Sequence, residues 1–487
     1  MPDRFSNGDR SNDTVEGMLE QTNRQNPDGR HGGDIAGIAK HIDYIADMGF
    51  TALWANPLLE NNMPEKSYHG YAITDYYTID PRFGTNSDYR NLVGLAHEKG
   101  LKVIMDMVFN HCGTNHWLVR DLPMDDWVNQ WDTFTRSNYR IEVKTDPYAS
   151  DYDLKLMGKG WFDVTMADLN QKNPYVWKYL VQNSIWWIEF AGIDGIRMDA
   201  YPYTDREAMS EWAMTIRKLY PSFTILGEIW LQKSSHTAYW QDNERNMDDY
   251  RSNIPAVTDF RTHYAVIEAL SEKEGWTQGL RRLYYVLSQD FLYNNPENLL
   301  VFPDNHDLNR YYTSLNEDFD KYKLGLAFLL TTRGIPQIYY GTEILMTGEE
   351  HKGHGYIRQD FPGGWEGDTI DAFNGTGLNE DQEEAQRFVQ KLLTWRQKTP
   401  AIHNGKLIHF IPEDDVYVYF RTTNSQSVMV ILNKNEEDIL VDMRRYREGL
   451  NGFSSAIDVI SSEKITNLDQ IFVQGMSPLI LELSGND

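Results

Sequence analysis

Three carboxylic acids, Asp199, Glu228 and Asp307, each stand at or near the end of a short apolar run of the sequence. The runs read GIDGIRMDA (192–200), FTILGEIW (223–230) and LLVFPDNHD (299–307). Cleavage of an acetal requires one carboxylic acid that protonates the leaving oxygen and one ionised carboxylate that attacks or stabilises the cation-like carbon. These acids therefore indicate the chemistry that cleaves bonds between sugars.

The surroundings of the three acids predict different roles for them. Arg197 and Asp199 lie two positions apart on a predicted strand, so both side chains project from one face and the guanidinium can keep the carboxylate ionised. Asp199 is therefore the candidate nucleophile. Glu228 lies among apolar residues, and a partly desolvated setting beside other carboxylates would raise its pKa, which suits an acid and base. Asp307, preceded by His306, is expected to bind sugar hydroxyls and to favour a distorted ring.

A simpler interpretation exists for any single acid at a strand end, because a chain that leaves a sheet commonly turns into water there. A fourth run, LKVIMDMVFNH (101–111), also ends in polar residues, with Asp106, Asn110 and His111. In α/β barrels, active residues collect at the carboxyl ends of the strands. Four such runs in order therefore favour an active site over chance.

The composition disfavours some classes of partner. The 487 residues carry a formal net charge of −26, which argues against binding to nucleic acid or to an anionic membrane, since both are polyanions. A neutral oligosaccharide is not repelled. The 14 Trp and 29 Tyr suit stacking on sugar rings, although ordinary core packing accounts for most of them. We find no apolar run of about 18 residues and no signal peptide, and the single Cys112 permits no disulfide within the chain.

The segments DMVFNH, GIRMDA, GEIW and PDNHD resemble the four signature regions of the α-amylase family of retaining glycoside hydrolases. Within that family the chain is most similar to the cyclomaltodextrinase and neopullulanase group, with MPDRFSNGD near the first strand and RQDFPGGW late in the barrel. The resemblance extends from the first residues to the C-terminus. It implies a nucleophile at Asp199, an acid/base at Glu228 and a transition-state stabiliser at Asp307.

The same resemblance implies a set of substrate contacts. His111, Arg197 and His306 would contact the sugar at the cleavage point, and Tyr71 would stack beneath it with His69 nearby. We also place Asp106 at the substrate. Two further residues, Arg358 and Trp230, are candidates either for sugar contacts or for packing.

Alternating apolar runs and helical patterns predict an α/β fold, a (β/α)8 TIM barrel. Helical spacing predicts helices over 35–48, over 174–191 and over 382–398, and a further helix capped by Ser87 that ends before Gly100. TALWANP (51–57), IPAVTDF and GIPQIYYG supply strands beside the runs that carry the acids. We therefore expect the acids at the ends of neighbouring strands.

The sequence predicts three domains. The barrel, domain A, would comprise residues 1–111 and 166–399, and the aperiodic stretch 112–165 would be an inserted domain B after the third strand. Residues 400–487, with alternation such as Val416, Val418 and Phe420, predict a C-terminal antiparallel β-sandwich domain. By the resemblance, Met1 stands where the family has the end of its first barrel strand, which leaves room for residues before it.

A second group of oxygen donors lies near the N-terminus. SNGDRSND and HGGD supply Asn7, Asp9, Asn12, Asp13, Gly32 and Asp34. Hard oxygen donors at short spacing suit Ca²⁺, whereas an Asx-rich turn with Asp34 capping the next helix is the simpler interpretation. The pattern resembles the calcium loop of cyclodextrin glycosyltransferases and related neopullulanases, with a carbonyl ligand at Gly32. The resemblance therefore implies a structural calcium ion.

The family has another calcium site, between the barrel and domain B. One of its ligands matches Asn110, but Thr165 and Tyr203 replace an Asp and a His there. We therefore do not expect that second site, and we expect Asn110 to serve a local hydrogen-bond network.

Together these features predict a retaining enzyme that cleaves α-1,4-glucosidic bonds in cyclodextrins and maltooligosaccharides, with pullulan and starch as poorer substrates. Transfer to a second sugar uses the same groups as hydrolysis, and the sequence leaves their ratio open. A non-catalytic carbohydrate-binding relative is the alternative, which the three retained acids disfavour. Oligomeric state is left open, including a homo-oligomer, and a periplasmic or secreted location is favoured over a cytoplasmic one.

Overall fold

The computed structural model describes residues 1–242 and 246–485. The chain forms two compact units. The first comprises Met1–Ala46, Thr51–Thr258 and His351–Gly377, and the second comprises Asp47–Phe50, Asp259–Glu350 and Leu378–Asp487.

The strands of the first unit are mostly short and buried. They are β1 (Ala52–Ala55), β2 (Leu59–Glu60), β3 (Asp75–Ile79), β4 (Lys102–Val108), β5 (His111–Gly113), β6 (Met166–Asp168), β7 (Gly195–Asp199), β8 (Thr224–Gly227) and β9 (Ala256–Thr258). Parallel pairing joins β1, β4, β7, β8 and β9 in that order. The register of β4 against β7 sets Asp106 beside Arg197 and Val108 beside Asp199. Neighbouring strands therefore deliver their polar residues to one edge of the sheet.

Helices connect these strands, and further helices belong to the second unit. They are α1 (Ile35–Lys40), α2 (Ile42–Asp47), α3 (Asn86–Glu98), α4 (Trp117–Arg120), α5 (Asp151–Lys159), α6 (Pro174–Ala191), α7 (Arg206–Leu219), α8 (Ser234–Trp240), α9 (Phe260–Ser271), α10 (Arg281–Leu287), α11 (Tyr311–Ser314), α12 (Phe319–Thr331), α13 (His354–Ile357), α14 (Glu380–Gln397), α15 (Pro400–Asn404) and α16 (Arg447–Leu450). The predicted helix over 174–191 is confirmed with the same bounds. The described residues contain no helix that is long and apolar enough to cross a membrane.

Two predictions about the early helices were wrong in detail. The helix predicted over 35–48 is divided at His41, whose amide donates to the carbonyl of Ile38 in a tighter turn. Ile38 and Ile42 are nevertheless both buried, as the apolar spacing predicted. The N-cap of α3 is Thr85 rather than Ser87, because Thr85 forms a reciprocal capping box with Asp88.

The start of the chain also differs from the strand end that the resemblance implies. Pro2–Arg4 form a single 3-10 turn. Proline lacks the N–H that a strand ladder uses, and its fixed φ suits the first turn of a helix.

The inserted segment begins and ends at a short antiparallel strand pair. β5 pairs with β6, which sets His111 opposite Asp168 and Cys112 opposite Ala167. Between these strands the chain forms α4, α5 and a 3-10 turn at Ile141–Lys144. The pairing anchors both ends of the insertion directly after the strand that carries Asp106.

The second unit contains a parallel strand pair and an antiparallel domain. Its strands are β10 (Leu299–Val301), β11 (Ile335–Pro336), β12 (Lys406–His409), β13 (Val416–Thr422), β14 (Ser427–Asn433), β15 (Ile439–Asp442), β16 (Phe453–Asp458), β17 (Lys464–Ile465), β18 (Gln470–Val473) and β19 (Ser477–Gly485). β10 and β11 are parallel. The antiparallel sheet has the order β12, β13, β14, β19, β16, β17, and β15 pairs with β18 in a second small sheet.

Both faces of the central strand β13 are buried, which explains why it is apolar almost throughout. On one face, Val418 joins a core with Ile431 of β14 and Ile471 of the small sheet. On the other face, the ring of Tyr419 packs against Phe328 of α12. The predicted C-terminal antiparallel β domain is therefore confirmed as two sheets packed around a core.

The cap of α3 gives a test of this local structure. Thr85→Ala removes the hydroxyl that accepts from the amide of Asp88, and we expect the free energy of unfolding to fall by about 1 kcal/mol. Ser87→Ala, two residues later and inside the first turn of α3, should leave the free energy of unfolding almost unchanged. Urea unfolding of both variants measures the difference, and equal effects would contradict the assigned cap.

Candidate active site

The candidate site of the first unit is built at the carboxyl ends of its parallel strands. Asp106 lies on β4, and Arg197 and Asp199 lie on β7. Glu228 directly follows β8. Because β7 is buried along its whole length, its two charged side chains must find partners inside the protein.

Arg197 is the common partner of three carboxylates. Its Nη1 donates to Oδ1 of Asp199 at 2.6 Å and to Oδ1 of Asp106 at 3.0 Å. Its Nη2 lies 2.6 Å from Oε1 of Glu228. The structure therefore confirms that Arg197 and Asp199 project from one face and form an ion pair.

Burial and charge act in opposite directions on this cluster. Burial alone would lower the pKa of Arg197, but the negative charges around it, those of Asp106 and Glu228 first, raise the pKa well above its usual range. The guanidinium therefore remains charged at any working pH. For Asp106, burial raises the pKa to about 6, although Arg197 opposes the shift.

Two further side chains hold Asp106 in place. Its Oδ2 accepts from Nε1 of Trp54 at 3.0 Å and from the hydroxyl of Tyr71 at 3.1 Å. The amide of Asn56 donates in turn to the Tyr71 hydroxyl at 2.8 Å. Trp54 and Asn56 were missed from the sequence, although they stand at the end of the run TALWANP, where the strand-end argument also applies.

The setting of Glu228 is more polar than the sequence predicted. Besides Arg197, the backbone N–H of Ala200 donates to its Oε2 at 2.9 Å. Ala200 has a left-handed φ of 46°, and this uncommon conformation turns its amide toward Glu228. The neighbouring side chain of Trp230 is 38% exposed, which leaves its ring accessible to a ligand.

His111 lies at the start of the inserted segment and is buried. Its ring stacks on Phe162 with centroids 4.8 Å apart, and burial lowers its pKa to about 3, so the imidazole is neutral. Nδ2 of Asn110 lies 3.2 Å from Nδ1 of His111, which confirms that Asn110 takes part in a local network.

The other residues of the first unit that were predicted to contact the sugar include His69 and Arg358, which have different hydrogen-bond partners. His69 lies beside Tyr71, with its Nδ1 accepting from the Tyr71 amide at 2.9 Å and the two rings stacked. Arg358 is buried, and its Nη2 lies 3.0 Å from Nδ1 of His354 while its Nη1 lies 3.4 Å from the Tyr68 hydroxyl. Tyr71 thus joins the Arg197 cluster through Asp106, whereas the described hydrogen bonds of the Arg358 guanidinium run to other residues.

Asp307 and His306 belong to the second unit. Nε2 of His306 lies 3.1 Å from Oδ2 of Asp307, and the backbone N–H of Asp307 donates to Oδ1 of Asn305 at 2.8 Å. His306 is buried. This acid and the histidine that precedes it are therefore paired.

A partly buried lysine that the sequence did not single out ties the insertion to the loop after β7. Nζ of Lys144 donates to the carbonyls of Thr204 at 2.6 Å and of Tyr203 at 3.2 Å. Burial lowers its pKa to about 8, which still leaves the ammonium charged at neutral pH. Tyr203 is the residue that replaces a histidine ligand of the family's second calcium site. The Lys144 ammonium, rather than a metal ion, contacts its carbonyl.

The N-terminal loop brings its predicted ligands together around Asp34. This carboxylate accepts from the backbone N–H groups of Gly8, Asp9 and Gly37, so it caps α1 as the simpler interpretation predicted. Burial raises the pKa of Asp34 despite these hydrogen bonds.

Other atoms of this loop fit a cation. Oδ1 of Asn7 and Oδ1 of Asn12 are buried without a hydrogen-bond partner, and burial raises the pKa of the neighbouring Asp13 carboxylate. A Cβ at Gly32, whose φ is +90°, would lie 2.4 Å from Oδ1 of Asp13, so only glycine lets the backbone approach. Within residues 1–242 and 246–485 no three His, Cys, Asp or Glu side chains are grouped closely enough to hold a metal ion by themselves, so a cation here would need amide and carbonyl oxygens besides carboxylates.

Comparison with known proteins supports the fold. The family model described as alpha amylase, catalytic domain, matches residues 1–399, and the one described as cyclo-malto-dextrinase C-terminal domain matches residues 407–482. A beta/alpha-amylase of Paenibacillus polymyxa is 30% identical over 89% of the chain, which spans 33% of that relative's length. A cyclomaltodextrinase of Thermoanaerobacter pseudethanolicus is 29% identical over 90% of the chain and 70% of its own length.

A solved structure agrees over the full chain. The α-amylase of Geobacillus thermoleovorans in complex with acarbose superimposes with a TM-score of 0.81 at 27% identity, and the match covers 100% of this chain and 97% of the other. The predicted fold class, a TIM barrel of the α-amylase type with a C-terminal antiparallel β domain, is confirmed. A catalytic-domain match over most of the chain, with Asp199 and Glu228 held by Arg197, shows that the chain belongs to the α-amylase family of glycoside hydrolases.

Proposed function

We propose that this enzyme is a retaining α-glucan hydrolase that cleaves α-1,4-glucosidic bonds through a covalent glycosyl-enzyme. The observation that carries the proposal is the contact of one guanidinium, that of Arg197, with both Asp199 and Glu228. Retaining enzymes need their two carboxyl groups only about 5–5.5 Å apart. Two acids that contact the two ends of one guanidinium suit this short spacing.

In the proposed reaction, Oδ of Asp199 attacks the anomeric carbon and forms a glycosyl ester while Glu228 gives a proton to the leaving oxygen. Glu228 then takes a proton from water, which attacks the anomeric carbon and releases Asp199 as a carboxylate. Asp307 is assigned by resemblance to the stabilisation of the distorted sugar.

The contacts of Glu228 in the free protein suit the second role better than the first. Arg197 and the Ala200 amide both favour an ionised Glu228. Before Glu228 can act as the acid it must bind a proton, and repulsion from the neighbouring carboxylates of Asp106 and Asp199 favours this protonated form.

The substrates that we propose are cyclodextrins and maltooligosaccharides, with pullulan and starch as poorer ones. The C-terminal match to a cyclomaltodextrinase domain supports this choice, as do relatives named cyclomaltodextrinase and neopullulanase. The closest alternative activity is transfer of the glycosyl group to a second sugar instead of to water. A relative named cyclomaltodextrin glucanotransferase supports this alternative. A homo-oligomer and a location outside the cytoplasm stay predictions.

We further propose a structural Ca²⁺ in the N-terminal loop, with the set Asn7, Asp9, Asn12, Asp13, Gly32 and Asp34 as ligands. The unpartnered amide oxygens of Asn7 and Asn12 support it. Ca²⁺ takes six to eight oxygens in flexible geometry, so amide, carboxylate and carbonyl donors suffice. The ion would tie the loop to α1, and no catalytic step depends on it.

Substrate preference and the nucleophile can be tested together. Incubation with β-cyclodextrin, pullulan and soluble starch, followed by chromatography, should show ring opening to short maltooligosaccharides as the fastest reaction. Asp199→Asn should lower kcat by at least about 10³-fold because it removes the attacking carboxylate, while β-cyclodextrin still binds. Starch preferred over the ring would indicate an ordinary amylase, and a fully active Asp199→Asn enzyme would refute the assigned nucleophile.

The calcium proposal predicts a change in thermal stability. Removal of Ca²⁺ with EDTA should lower the Tm, and added Ca²⁺ but not Mg²⁺ should restore it. Ca²⁺ accepts six to eight oxygens in flexible geometry, whereas Mg²⁺ requires a near-ideal octahedron. Asn7→Ala should abolish this response, whereas Asn26→Ala, at another Asn of the N-terminal region, should keep it. A Tm that EDTA leaves unchanged in the unaltered protein would contradict the site.

Lys144 gives a third test, directed at the loop that follows the nucleophile. Lys144→Met should lower kcat about tenfold, since it removes charged hydrogen bonds to the Tyr203 and Thr204 carbonyls and loosens the chain beyond Asp199. Lys159→Met, at an exposed lysine of the same insertion, is the matched control. A lower Tm with an unchanged kcat at 25 °C would show that Lys144 is only structural.

A further inference from the structure

Tyr139 combines an uncommon backbone conformation with a partly exposed ring. Its φ is +56°, in the left-handed region that bulky residues seldom adopt. The side chain is nevertheless 37% exposed, so burial of the ring does not explain the strain. Residues held in such conformations cluster at ligand-binding sites.

The surrounding insertion holds this conformation firmly. The backbone N–H of Tyr139 donates to Oγ of Ser137 at 3.2 Å, and its hydroxyl donates to the carbonyl of Phe162. The edge of the ring packs against Phe162 with centroids 5.4 Å apart. Both ends of the side chain are therefore fixed, and one part of the ring remains open.

The ring lies near a predicted sugar contact, His111. Phe162 stacks on His111, and Tyr203 lies 6.3 Å from Tyr139 between ring centroids. Burial raises the pKa of Tyr203, and the charges of Glu228 and Asp199 raise it further. Tyr139 is thus separated by one aromatic ring, that of Phe162, from His111, which is predicted to contact the sugar at the cleavage point.

We propose that Tyr139 is a substrate-binding residue whose ring stacks on the glucose unit adjacent to the one that is cleaved. The apolar face of a glucose ring matches an aromatic surface that is rigid, partly exposed and supported from behind. The inference rests on the proposed α-glucan hydrolase function and adds a specificity determinant on the inserted segment. Its chemistry requires neither the hydroxyl proton nor a charge.

Three variants separate binding from structure. Tyr139→Gly removes the ring and suits the positive φ, so it relieves strain. Tyr139→Phe keeps the ring and loses the hydrogen bond to Phe162. Tyr148→Ala removes another aromatic ring of the insertion, which is 91% exposed, and serves as the matched control.

The measurements are kcat and KM on maltoheptaose and on 4-nitrophenyl α-glucoside, together with the Tm. For Tyr139→Gly we expect the KM for maltoheptaose to rise about three- to tenfold. The KM for the small glucoside should stay within about twofold, because that substrate offers no second glucose unit to stack, and the Tm should not fall. Tyr139→Phe and Tyr148→Ala should keep the KM for maltoheptaose within about twofold.

Each other result has a defined meaning. An unchanged KM of Tyr139→Gly on an active enzyme would overturn the stacking role, and so would an equal loss in Tyr139→Phe. A fall in Tm with equal losses on both substrates would show a purely structural residue. If the unaltered protein cleaves no α-glucan, the proposed function is wrong. This outcome is distinct from failure of the stacking role, which requires an active unaltered protein.

Discussion

The buried guanidinium of Arg197 is the interaction on which the candidate site depends. It forms ion pairs with carboxylates from two neighbouring strands and from the segment after a third, all within one desolvated volume. Without it, Asp106, Asp199 and Glu228 would repel one another, and loss of one partner from a buried ion pair costs about 3–5 kcal/mol. The stability of the cluster therefore depends on one guanidinium, whose attraction to the three carboxylates offsets their mutual repulsion.

The parallel sheet makes this arrangement possible. Because β4 and β7 are in register, Asp106 and Arg197 face each other directly, and the period of two along β7 places Asp199 on the same side. Glu228 enters from the turn after β8, where the left-handed Ala200 aims its amide at the carboxylate. Rigid strands thus set positions to within a hydrogen bond, while the adjoining turns supply the polar atoms.

The sequence predicted what depends on strand periodicity and missed what depends on tertiary contacts. Arg197 and Asp199 were placed on one face because residues two positions apart in any strand point to the same side. The polar setting of Glu228 was missed, since the arginine that contacts it lies 31 positions earlier in the chain. Lys144 and Tyr139 were missed for a similar reason, because an aperiodic insertion gives no pattern from which contacts with the Tyr203 loop could be inferred.

The most direct test of the central claim is the anomeric configuration of the first product, followed by proton NMR during early cleavage of a maltooligosaccharide. If Asp199 and Glu228 act from one guanidinium at the short spacing of a retaining pair, the new reducing end must appear as the α-anomer and only later mutarotate. First appearance of the β-anomer would mean direct attack by water and would contradict the account.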